Sequence, residues 1–146
     1  MIGPLKKLGA NHANRKAPKY RNRERAWPYM GFVKSLACCA SVNVLAEMTL
    51  AAERRGESTP LWWAGAVAWH TPCAGDIEAD HAGRRGIGQK ASDATCIPLC
   101  RQHHRERTDH TGAWRGMNQA QARAFLIDAI AYTQSVARRR GVAVPE

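Results

Sequence analysis

The segment from Cys73 to His110 constrains this chain more than any other. It holds Cys73, Cys96 and Cys100, the histidines His81, His103, His104 and His110, and the acids Asp80 and Asp93. A chain of 146 residues builds only a modest core, and a structural metal ion would help it. The five cysteines are an odd number, and Met1–Ala10 has lysines but no apolar signal-peptide region. The expectation is therefore a cytoplasmic protein whose thiols are metal ligands or reduced, not disulfides.

Two ligand chemistries interleave in this segment. Cys100-x-x-His103 has the spacing of half a zinc site, and a structural zinc needs four nitrogen or sulfur ligands. Cys73 is the natural third ligand, with Cys38 or Cys39 the fourth. The second set, Asp80, His81 and His104, joins a carboxylate to imidazoles, which suits a divalent ion that keeps positions open for water and phosphate. On a helix, His103 and His104 would point about 100° apart, so that one faces a structural ion and the other a catalytic site.

The charge balance narrows the partners. With 22 Lys+Arg against 12 Asp+Glu the formal charge is +10, which points to a polyanion: nucleic acid first, an anionic membrane surface second. No apolar run approaches the roughly 20 residues of a membrane span, so no membrane partner is expected. Residues 1–26 are basic and lack an apolar period, and read as a flexible arm that orders on nucleic acid or merely solubilises the chain. Arg84, Arg85 and Lys90 follow His81, where they can touch phosphate or simply be solvated. Arg138, Arg139 and Arg140 close the last helix, where they suit its dipole and can also meet phosphate. Hydrophobic residues at 45% exclude wholesale disorder.

Apolar periodicity predicts helices near 28–36, 41–55 and 118–140, the last capped by Asn118. Gly56 and Pro60 end the second. Leu61–His70 is compatible with a strand or a buried helical turn, and its tryptophans Trp62, Trp63 and Trp69 read as core.

EADHAGRRGIGQKASDATCIPLCRQHHRERTDHTG (78–112) resembles the HNH, or ββα-metal, endonuclease motif: Asp-His, a glycine-rich turn, then Leu-Cys-x-x-His-His. It is similar to the phage-type recombination-enhancement nucleases and their prophage relatives, in which a His replaces the last zinc cysteine. GFVKSLAC, ending at Cys38, is similar to the stretch before their first zinc cysteine. The resemblance covers residues 29–38 and 73–112 and makes 40–72 look like an insertion between zinc ligands. It implies an α+β nuclease domain over 27–146: a strand near Ala79–His81, a turn over Gly83–Asp93, a strand near Thr95–Pro98 and a helix from Leu99 or Cys100.

By the same resemblance His81 is the general base, Asp80 and His104 hold a catalytic Mg²⁺ or Mn²⁺, and Cys38, Cys73, Cys100 and His103 hold a structural zinc. Cys39 and Cys96 are then apolar fillers. Asp93 would orient the loop, with Thr95 the alternative at the motif's middle position. Thr108 stands where the family often has a further histidine, and His110 could contribute only if the helix ended early. The implied activity is metal-dependent hydrolysis of DNA phosphodiester bonds to 5′-phosphate and 3′-hydroxyl ends in a bacterial or phage-infected cell, with a recombination or phage protein as possible partner. The alternative is a catalytically inactive, zinc-stabilised nucleic-acid-binding module.

Overall fold

Two strands on either side of the glycine-rich segment form an antiparallel sheet, β1 (Ile77–His81) with β2 (Cys96–Cys100). The computed structural model describes residues 27–83 and 91–146; the basic arm over 1–26 and the turn residues Arg84, Arg85 and Lys90 lie outside the described residues. Helices flank the sheet: α1 (27–34), α2 (Val42–Arg54), α3 (Trp63–Ala68), α4 (Arg101–Asp109) and α5 (Gln119–Arg139). The chain is thus α+β. No helix among the described residues is long and apolar enough to cross a membrane.

Local sequence accounts for the element ends. The Ser41 side chain accepts the Val44 N–H to start α2, which closes with Gly56 at φ +89° and Glu57 N–H donating to the Ala52 carbonyl. Asn118 caps α5 through Gln121 N–H, while Gln121 reaches back to the Asn118 N–H. Both strands extend beyond their expected limits, β1 beginning at Ile77 and β2 running to Cys100, so α4 starts only at Arg101. Cys100 is its N-cap, its sulfur accepting the His103 N–H.

The stretch over 40–72, which resembles an insertion, is part of the core. Val44, Leu45, Met48, Trp62 and Ala66 pack with Ile97, Leu99, Trp114 and Phe125 in one buried cluster. The Trp62 indole N–H donates to Asp128 of α5 at 2.7 Å, and its ring meets Phe125 edge-on at 5.6 Å. Leu61–His70 takes the helical alternative as α3. Of its three tryptophans only Trp62 is fully buried; Trp69 is 45% exposed, against the expectation of core, with the Arg115 guanidinium 5.3 Å above its ring.

Strand register decides where the polar residues go. Successive residues alternate faces, so Glu78 and Asp80 turn to the side met by α4. His81 turns to the other side with Cys96, its directly opposed partner. A second, smaller buried cluster of Tyr29, Val33, Cys96 and Ala137 ties α1 and the end of α5 to that other face.

Candidate metal centre and flanking polar sites

Cys38, Cys73, Cys100 and His103 converge at the junction of β2 and α4. Their ligand atoms all lie within 4.8 Å of one another, and the set could hold a metal ion. The His103 Nδ1 atom stands 3.4 Å from Cys38 Sγ, 3.6 Å from Cys73 Sγ and 3.1 Å from Cys100 Sγ. Cys38 is the fourth cysteine-or-histidine member of the cluster. Cys39 points away, its sulfur 3.8 Å from the Thr133 hydroxyl in the core. Three members are buried, and only Cys73 is exposed. Burial pushes the Cys38 and Cys73 thiols above their ordinary range.

The far side of His103 is held by an ordered set of hydrogen bonds. Its Nε2 lies 2.9 Å from the Thr71 carbonyl oxygen, so Nε2 carries the proton and Nδ1 presents its lone pair to the three sulfurs. Burial lowers the basicity of this imidazole and keeps it neutral. The Thr71 hydroxyl donates to Glu106 at 2.6 Å, and the buried Glu106 carboxylate also accepts from the Gln102 side chain and the Ala113 N–H. Gly112, at φ +55°, passes so close to this carboxylate that a Cβ would stand 2.0 Å from one of its oxygens.

His104 turns the other way, as helical spacing requires. Its Nδ1 is 2.6 Å from Glu78 Oε2, and its Nε2 is 3.4 Å from Asp80 Oδ1. The hydrogen bond to His104, with a second from Arg101, holds the Glu78 carboxyl below its ordinary range. Asp80 is almost fully buried and is gripped by both arms of the Arg107 guanidinium, with Nη2 2.6 Å from Oδ1 and Nε on Oδ2.

His81 is separated from that pair. On the opposite face of β1 its Nε2 lies 2.6 Å from Asp93 Oδ1, and Cys96 Sγ stands within 4.8 Å of both. Asp93 therefore bonds the imidazole itself, where the motif reading gave it the loop to orient. Thr95 holds the loop instead: its hydroxyl donates to the Ser92 carbonyl and accepts the Gly83 N–H. Cys96 is fully buried, as a filler would be, yet its thiol faces two polar ligands, and burial together with the Asp93 and Asp80 charges pushes it up to about 12.

The remaining candidates lie elsewhere. His110 is exposed at the end of α4, and Thr108 returns its hydroxyl to the His104 carbonyl. Arg138, Arg139 and Arg140 are exposed, with Arg138 bonded to Gln134 and Arg140 6.0 Å from the Phe32 ring. Sequence reasoning missed Thr71, Glu78, Glu106 and Arg107. The i, i+3 step from His103 to Glu106 and from His104 to Arg107 was the available signal, since it places each on the face of the histidine it serves.

No family model matches the chain, and no curated protein or solved structure matches it at a significant level.

Proposed function

We propose that this chain is an HNH-type endonuclease that cleaves DNA phosphodiester bonds with a divalent ion, and that it is stabilised by a structural zinc. The zinc assignment rests on donor chemistry and spacing. For Zn–S near 2.3 Å and Zn–N near 2.0 Å, tetrahedral angles put sulfur and nitrogen about 3.5 Å apart. The three separations from His103 Nδ1, 3.1 to 3.6 Å, bracket that value. Three thiolates and one imidazole leave no position for substrate, which makes this a structural site.

The nuclease reading is carried by one observation: His104 Nε2 stands 3.4 Å from Asp80 Oδ1, while the next residue along β1, His81, has its imidazole bonded to a carboxylate on the other face. An imidazole nitrogen and a carboxylate oxygen at that separation fit neighbouring ligands of one Mg²⁺ or Mn²⁺. Such an ion, when bound, supplies charge stabilisation at the scissile phosphate and the leaving oxygen. His81 accepts the proton of the attacking water. With Nε2–H donating to Asp93, its Nδ1 lone pair is the one free to do so, and the carboxylate favours the imidazolium that results. Asp80 and His81 are chain neighbours at the end of β1, about 3.8 Å apart at Cα, so a phosphate at that end can be reached from both faces. The exposed arginines at the end of α5 add salt-dependent, sequence-independent affinity, as do the basic residues of the arm.

A second reading, an inactive zinc-stabilised nucleic-acid-binding module, is favoured by the Arg107 grip on Asp80, which commits that carboxylate to an internal partner. Nicking of supercoiled plasmid separates the two. The nuclease reading expects cleavage with Mg²⁺ or Mn²⁺ that EDTA stops and His81→Ala abolishes, while DNA binding persists. Tight binding with no nicking under any divalent ion would overturn it in favour of the binding module.

A further inference from the structure

The sheet face opposite Asp80 and His104 carries a second set of metal-ligating groups. We propose that His81, Asp93 and Cys96 form a site for a soft or borderline divalent ion such as Zn²⁺, separate from both the cysteine-rich cluster and the Asp80–His104 pair. The three ligand atoms lie within 4.8 Å of one another, and His81 Nε2 is 2.6 Å from Asp93 Oδ1. Backbone register brings two of them together. His81 and Cys96 are directly opposed across the ladder, which puts their Cβ atoms about 5 Å apart. Asp93 enters from the short 3₁₀ turn that leads into β2.

The donor set selects the ion. One thiolate, one imidazole and one carboxylate are the mixture that zinc accepts and that Mg²⁺ does not, because the soft thiolate suits zinc and not a hard ion. Three protein ligands leave one tetrahedral position for water or an anion. Entry is from the His81–Asp93 side, where the side chains are 27% and 23% exposed, over a fully buried Cys96. Binding releases one proton, from the Cys96 thiol to solvent, moves the His81 proton from Nε2 to Nδ1, and replaces the imidazole–carboxylate hydrogen bond with two bonds to the ion. Asp93 and Asp80 both oppose the thiolate when no cation is present, and a cation between them reverses that repulsion.

The site has a consequence that rests on the nuclease reading: an ion on His81 removes the base from use, so excess Zn²⁺ should stop Mg²⁺-dependent nicking. Ion binding itself does not depend on that reading. Full-length protein carrying one equivalent of Zn²⁺ in the cysteine-rich cluster is titrated with Co²⁺ and followed by absorption. Cobalt can also enter at Asp80 and His104, which offer no sulfur, so the ion on Cys96 is read by its thiolate-to-cobalt charge-transfer band in the near ultraviolet. Cys96→Ser should abolish that band and Asp93→Asn should weaken binding at least tenfold, while Cys39→Ser leaves both unchanged. His81→Ala, at a partly exposed position, gives the same loss of the band should Cys96→Ser fail to fold. Absence of a thiolate band at saturating cobalt, or a band that survives Cys96→Ser or His81→Ala, would overturn the proposal. If no divalent ion supports nicking, the nuclease reading fails while the cobalt band still decides the site.

Discussion

His103 Nε2 lies 2.9 Å from the Thr71 carbonyl oxygen, and this one contact decides which imidazole nitrogen faces the three cysteine sulfurs. Thr71 serves twice, because its hydroxyl also donates to the buried Glu106 at 2.6 Å. Metal sites depend on such outer partners, whose loss costs roughly 10- to 100-fold in affinity. Thr71→Val keeps the carbonyl and removes only the hydroxyl, so affinity should fall about tenfold, at the lower end of that range. Competition with a chromogenic chelator measures it. Affinity equal to wild type would confine the role of Thr71 to its backbone.

Removing a member of the Cys38–Cys73–Cys100–His103 set should be felt by the whole fold, because Cys38 and Cys100 belong to the main buried cluster and His103 is fully buried. Cys100→Ser is expected to release the ion and to cost about 3 kcal/mol or more, which lowers Tm by about 6–12 °C for a chain of this size. Because burial raises the Cys38 and Cys73 thiols, both are protonated in the metal-free protein near neutrality. Uptake must therefore displace protons, and affinity should fall as pH falls. Metal content across a pH series checks the sign; affinity that rises on acidification would contradict thiolate ligation.

The divalent ion proposed at Asp80 would have to compete with Arg107, since the guanidinium occupies both oxygens of that carboxylate. Arg107→Gln leaves a nearly buried carboxylate without its cation. The cost should be about 2–3 kcal/mol, somewhat below the 3–5 kcal/mol for breaking a fully buried pair, because Arg107 is itself 19% exposed. Mn²⁺ should then restore stability to the variant more than to the wild type and should bind it several-fold more tightly. Denaturation with and without Mn²⁺ reads both quantities. A variant that is destabilised but indifferent to Mn²⁺ would show that Asp80 and His104 hold no ion.

What could be read in advance from the sequence depended on whether a residue acts through its neighbours along the chain or across the fold. Gly56 and Asn118 announced helix ends because capping is a local matter. The opposite directions of His103 and His104 followed from helical rotation alone. Cys38 is placed with Cys73 through the resemblance of GFVKSLAC to the lead-in of a zinc cysteine and not through spacing, and α2 and α3 fill the space between the two as core. Strand parity is what escaped. Asp80 and His81 are adjacent in sequence and so fall on opposite faces of β1, which gives Asp80 to α4 and leaves His81 with Asp93 and Cys96. Arg107 and Glu106 escaped because charged residues on a helix usually face water, and only the packed sheet and loop beneath α4 make them internal.

His110 ends α4 in the left-handed region, at φ 56° and ψ 44°, while its N–H returns to the Glu106 carbonyl. Non-glycine residues there pay about 1–2 kcal/mol in contact between Cβ and the following carbonyl, and glycine is the usual occupant of such a terminus. His110 is exposed, so its side chain contributes little packing to offset that strain. His110→Gly should therefore stabilise the chain by about 1 kcal/mol, and His110→Val, β-branched and still less suited to positive φ, should destabilise it. Urea midpoints at constant m-value give both signs. The same pair tests whether His110 belongs to the site: a loss of metal or of nicking in His110→Gly, at raised stability, would assign it a chemical role that its position at the helix end does not predict.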